Sequence, residues 1–124
     1  MPKQLIMMKV DSSSAIAGLD KYSKDVIKKI NDNTHNAGLR INAEVKESIA
    51  GRRGELRSVD TGHFMGNIYV DNTQDFVSYI FTPIDYAVYL EFGTSRMQPR
   101  LHFSNTLKRE RSGVLDAIKQ AVKK

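Results

Sequence analysis

Apolar positions change period several times along the chain, and each change marks an element. Residues 3–10 hold a dense apolar run that reads as a strand or an apolar arm. Asp11-Ser12-Ser13-Ser14 follows, and short side-chain oxygens of this kind accept the free N–H groups at a helix start. Ile16, Leu19, Tyr22, Val26 and Ile30, then Ala37, Ile41, Val45 and Ile49, recur in steps that keep them on one stripe. The spacing predicts a helix over residues 14–50, ~55 Å long if unbroken, with Gly51 as its stop. Asn31-Asp32-Asn33-Thr34-His35-Asn36, with Gly38 close behind, are poor helix formers, so a kink or break is expected there.

Residues 51–66 carry four glycines and three arginines, the composition of a mobile loop. Residues 67–70 and 76–81 are β-type runs joined by Asp71-Asn72-Thr73-Gln74-Asp75, which predicts a hairpin ended by Pro83. Asp85 can cap a short helix over residues 86–92, in which Tyr86, Leu90 and either Val88 or Phe92 would bury while Glu91 faces outward or bonds to the loop beyond. Gly93 closes that helix, and residues 94–100 form a loop. Residues 101–122 form the last helix, with Phe103, Leu107, Val114, Ile118 and Ala121 on one face and Gly113 weakening it. The order implies an α+β fold: a long N-terminal helix and a C-terminal helix packed on a small antiparallel β-sheet.

With 124 residues and a 40% hydrophobic share, one domain over residues 1–124 is expected. The absence of cysteine excludes disulfides, thiolate nucleophiles and Cys-based zinc sites. No apolar run approaches the ~20 residues of a membrane helix, and no signal peptide is expected. The balance of 19 basic against 14 acidic side chains gives +5. Part of that excess lies in residues 108–124, which hold six basic and two acidic side chains. Such a surface faces nucleic acid, an acidic partner or water.

Few residues gather as a catalytic site would require. Asp60-Thr61-Gly62 matches the triplet of retroviral-type aspartic proteases, where two chains share a proton between carboxylates. Its context argues against that: it follows Glu55-Leu56-Arg57-Ser58-Val59 rather than an apolar strand, and bulky His63 comes next. As local structure, the triplet caps a turn. His35, His63 and His102 are isolated, so no metal site is expected. There is no Gly-x-Ser-x-Gly elbow and no glycine-rich phosphate loop. Arg52, Arg53 and Arg57 in a flexible loop suit phosphate contact, but no aromatics are interleaved for base stacking.

The most specific stretch is Tyr86-Ala87-Val88-Tyr89-Leu90-Glu91-Phe92-Gly93-Thr94. Asp60-Thr61-Gly62 precedes it, a predicted hairpin lies between, and the loop Ser95-Arg96-Met97-Gln98-Pro99-Arg100 and a helix follow. In that order the chain resembles the gene-product-ten-like tail-component family of tailed phages over residues 58–122. It departs from the family's pattern at Pro99-Arg100-Leu101-His102-Phe103 and at His63-Phe64. The resemblance implies a structural virion protein of the neck or tail, made in the bacterial cytoplasm. It would act in tail completion or head–tail joining, as a homo-oligomeric ring that contacts other neck and tail proteins. It implies no catalytic residue, no cofactor, no metal, no membrane and no small-molecule substrate; phage DNA would be at most a non-specific neighbour. Interface contacts are expected from Arg52, Arg53, Arg57, Asp60, Glu91, Thr94, Arg96, Pro99 and Arg100, with Glu91 able to pair with Arg96 or Arg100. Thr61, Gly62, Tyr86, Ala87, Phe92 and Gly93 would be structural parts of the motif. A basic nucleic-acid-binding protein is the alternative, and an Asp-Thr-Gly protease stands behind it.

Overall fold

The computed structural model describes residues 6–13, 24–58 and 64–122. Its elements are β1 (Ile6–Asp11), α1 (Lys24–Ile49), a 3-10 turn (Met65–Asn67), β2 (Tyr69–Asp71), β3 (Val77–Thr82), α2 (Ala87–Phe92) and α3 (His102–Val122). The strands form one antiparallel sheet in the order β1-β3-β2. This is the expected α+β arrangement, with α1 and α3 packed on the sheet. β1 alternates as a half-buried strand must: Ile6, Met8 and Val10 are buried, and Met7, Lys9 and Asp11 are exposed. The expected helical residues 14–23 lie outside the described residues, as do residues 3–5 of the expected strand.

The expected break in α1 does not occur, because its polar residues are spent on tertiary contacts. The Phe76 N–H donates to Asn31 Oδ1 at 2.8 Å. Asn33 Nδ2 donates to the Ala117 carbonyl at 3.1 Å, which ties α1 to α3. The fully buried Thr34 hydroxyl bonds to the Ile30 carbonyl at 2.8 Å and to the Ser12 hydroxyl at 2.7 Å. His35 Nε2 donates to the Gln74 carbonyl at 2.9 Å. A Cβ at Gly38 would run into the Ser78 side chain, so only glycine lets the helix lie this close to β3. Poor local propensity is thereby overridden by long-range bonds. The helix ends as its sequence indicates. Gly51 adopts φ 84°, its N–H donates to Ser48 O, and Arg52 N–H donates to Glu47 O, a Schellman closure.

The core joins Ile6, Met8 and Val10 of β1, Ile41, Val45 and Ile49 of α1, and Ile80 of β3 with Phe64, Ile68, Ala87 and Phe103. A second cluster at the other end packs Ile30 against Ala121, with Val26 and Phe76 beside them. Along α3, Phe103 and Ala121 are buried as expected, and Val114 and Ile118 are half-buried. Leu107, assigned to the same face, is 40% exposed. On the sheet, Met7 and Tyr69 sit opposite Phe81, and both are exposed.

Candidate interaction surface

α2 meets its expected burial in part: Val88 and Leu90 are half-buried against the core, but Tyr86 is not. Ala87 and Glu91 face inward, whereas Tyr86, Tyr89 and Phe92 are 42%, 53% and 61% exposed. Spaced at i, i+3 and i+6, these aromatics form one outward stripe. The Phe64 and Tyr86 rings meet in an edge-type contact, with centroids 5.8 Å apart. Asp85 does not cap α2, whose first turn has no side-chain cap.

Glu91 is inside because α3 lacks a cap of its own. The residue before α3 is Leu101, at φ 55°, with no side-chain oxygen to offer. Glu91 supplies the missing acceptor from α2. Phe103 N–H donates to its Oε1 at 2.8 Å, Ser104 N–H to its Oε2 at 2.8 Å, and the Ser104 hydroxyl to the same oxygen at 2.5 Å. A carboxylate at this end also opposes the positive end of the helix dipole. The backbone repeats the connection, with Arg100 N–H donating to Leu90 O and Leu101 N–H to Glu91 O. Glu91 therefore does not pair with Arg96 or Arg100; both its oxygens are used within the chain.

Gly93 lies where the chain reverses, at φ 78°, and a Cβ there would come within 2.7 Å of Met97 O and 2.8 Å of Pro99 N. The reversal that follows is short: Thr94 N–H donates to Met97 O, and Arg96 N–H to Thr94 Oγ1. Thr94, Arg96 and Pro99 are exposed at its tip.

The described part of the arginine loop, residues 51–58, is fastened rather than loose. Arg52 bridges to Glu47 at 3.1 Å and Arg53 to Glu44 at 2.7 Å, both on α1. Arg100 Nη1 donates to Arg57 O at 2.8 Å and Ser58 Oγ at 2.9 Å, joining this loop to residues 94–100. The Arg57 side chain makes no ion pair among the described residues. Asp60, Thr61 and Gly62 lie outside the described residues.

Behind the loop runs a polar chain that no sequence motif announces. Glu55 accepts Arg109 Nη1 and Nη2, each at 2.9 Å, the Ser48 hydroxyl at 2.5 Å and Asn105 Nδ2 at 3.2 Å. Burial pushes its carboxyl up, but these bonds outweigh it and hold the group at about 2. His102 is fully buried, with Nδ1 2.8 Å from Ser48 Oγ and Nε2 2.6 Å from Ser58 Oγ. Since Ser48 spends its proton on the carboxylate, Nδ1–H donates to Ser48 and Nε2 accepts from Ser58. Burial lowers the His102 pKa, which keeps this neutral tautomer. His102, isolated in sequence, is thus part of a cluster built from three segments: α1, the loop over residues 51–58 and α3. Among the described residues no three His, Asp or Glu side chains gather where they could hold a metal ion.

The family model described as "Bacteriophage HK97-gp10, putative tail-component" matches residues 13–93. The chain belongs to the HK97-gp10-like tail-component family. No curated protein and no solved structure matches it. The HK97-gp10-like stretch takes in α1, the sheet hairpin and α2, and it ends at Gly93, where the chain reverses. α3 lies beyond the match, yet its first turn is capped by Glu91 inside it. Within the HK97-gp10-like motif, then, Ala87, Glu91 and Gly93 hold the fold, and Tyr86 and Phe92 are left on the surface together with Tyr89.

Proposed function

We infer that this tail component works at the phage neck, in tail completion or head–tail joining, as a ring of copies held to other neck and tail proteins. The observation that carries this reading is the aromatic stripe of Tyr86, Tyr89 and Phe92, three large exposed side chains on α2 and the residue before it. Tyr and Phe are enriched where protein interfaces bury most deeply. Exposed Thr94, Arg96 and Pro99 adjoin the stripe in sequence and extend the contact surface, and Arg57 adds a cation. Arg52 and Arg53 are already neutralised by α1 carboxylates, which suits a protein neighbour better than a phosphate backbone. No step of this work is chemical; it consists of surface burial and of loops that settle against a partner.

Electron microscopy of particles assembled without the chain tests the reading. Filled heads accompanied by separate tails are expected. Normal, infectious virions would rule out a joining role.

A further inference from the structure

We propose that successive copies in the ring join their sheets edge to edge, β2 of one copy pairing in parallel with β1 of the next. This rests on the ring reading above. Both outer strands of the β1-β3-β2 sheet have an edge with no partner strand among the described residues. Soluble proteins normally cover or blunt such edges, because a row of unpaired N–H and C=O groups recruits another strand. Here the two edges differ, so pairing them is heterologous, the kind of contact that closes into a ring when its rotation returns to the start.

The register supports the match. β1 and β2 are both antiparallel to β3, so they run in the same direction. A neighbour related by rotation about an axis along the strands brings its β1 beside β2 in that same direction, a parallel pair. Met7 and Tyr69 share one row of the sheet, both opposite Phe81, and Lys9 and Asp71 share the next, both opposite Tyr79. Continuing the rows into the neighbour sets Tyr69 beside its Met7 and Asp71 beside its Lys9. Met7 and Tyr69 are 49% and 43% exposed, so apolar surface is available to bury at the seam.

Charge favours the match at the row that joins Lys9 to Asp71. Residues 64–95, which include the β2 edge, contain no Lys or Arg, and of their acids Asp71, Asp75 and Asp85 are not buried inside the fold as Glu91 is. The β1 edge lies beside α3 in a groove lined by Lys9, Asp11 and Arg111 and by the exposed Leu107 and Leu115; Lys9 bridges Asp11 of its own strand at 3.1 Å, and Arg111 leaves the groove a net positive charge. A lysine on an edge ordinarily deters pairing; an aspartate in register with it turns the deterrent into a selective contact.

The chain has no cysteine, so paired cysteines give a clean test. In the Met7→Cys/Tyr69→Cys double variant the two thiols of one copy stand two strands apart, ~10 Å, too far for a short thiol cross-linker. Cross-linking should give a ladder of covalent oligomers, and either single variant should stay monomeric on a denaturing gel. Native mass spectrometry of the same samples separates the possible failures. Closed oligomers without a ladder would overturn edge pairing and leave the ring standing; monomers alone would overturn the ring and this pairing with it. Independently, Lys9→Asp should weaken assembly about tenfold through like charges in register. Adding Asp71→Lys should restore it, and a double variant no better than the single one would contradict the register.

Discussion

Replacing Glu91 by alanine should destabilise the folded chain by about 3 kcal/mol. Three donors lose their acceptor at once: the Phe103 and Ser104 N–H groups and the Ser104 hydroxyl. Glu91 is 2% exposed, so water reaches these orphans poorly, and each buried unsatisfied donor costs about 1–3 kcal/mol. The losses overlap, since all three report on one helix terminus, which is why the total is set near the cost of one strong network. For a domain of this size the change corresponds to a drop in Tm on the order of 10 °C. Glu91→Gln should fall between wild type and alanine, because the amide has one acceptor oxygen and sets its own N–H groups against a donor. Urea unfolding followed by circular dichroism measures both variants. A Glu91→Ala variant within about 0.5 kcal/mol of wild type would mean that the cap is ornamental.

The second large effect is loss of stability in acid, in two steps with different owners. Burial holds the folded His102 pKa below its ordinary 6.5. Just below that pH the unfolded chain binds a proton that the folded chain refuses, so stability falls as the pH drops through 6.5. The contribution is fully present above 6.5. Glu55, held at about 2 against an ordinary 4.5, acts lower on the scale. Its contribution is complete above 4.5 and disappears as the pH falls towards 2, and for a side chain only 7% exposed it is about 2–3 kcal/mol. Protonating His102 also breaks the direction of the chain, because Nε2–H can no longer accept from Ser58. Urea midpoints at pH 7, 5.5, 4 and 3 resolve the steps. His102→Gln should remove the upper step and Glu55→Gln the lower, each at the expense of stability at pH 7. An unchanged pH profile in either variant would assign the step to other groups.

The elements with strong local signals were legible in the sequence. β1 announces itself by apolar density, the hairpin by Asp71–Asp75 turn chemistry, and the end of α1 by Gly51. Asp71 indeed makes the turn, accepting the Thr73 N–H at 2.9 Å and the Thr73 hydroxyl at 2.6 Å. What escaped was whatever depends on a distant partner. Asn31, Asn33 and His35 look like helix breakers until Phe76, Ala117 and Gln74 arrive to use them. α2 looks like a helix that buries Tyr86 and turns Glu91 outward or to the loop, because nothing local reveals that a carboxylate is needed inside to cap α3. The clue was an absence: Pro99-Arg100-Leu101-His102 opens a helix with no Ser, Thr, Asp or Asn, so its cap had to come from elsewhere. His102 carried no such clue, since Ser48, Glu55 and Ser58 come from other segments.

On the proposed reading, labour is divided within the family motif: buried members hold the fold and exposed aromatics hold the neighbours. The most direct measurement compares folding with incorporation for the triple variant Tyr86→Ser/Tyr89→Ser/Phe92→Ser. Its urea midpoint should stay close to wild type, because the three rings are 42–61% exposed, and the chain should be missing from purified particles. A variant that folds and still enters particles at the wild-type level would contradict the account.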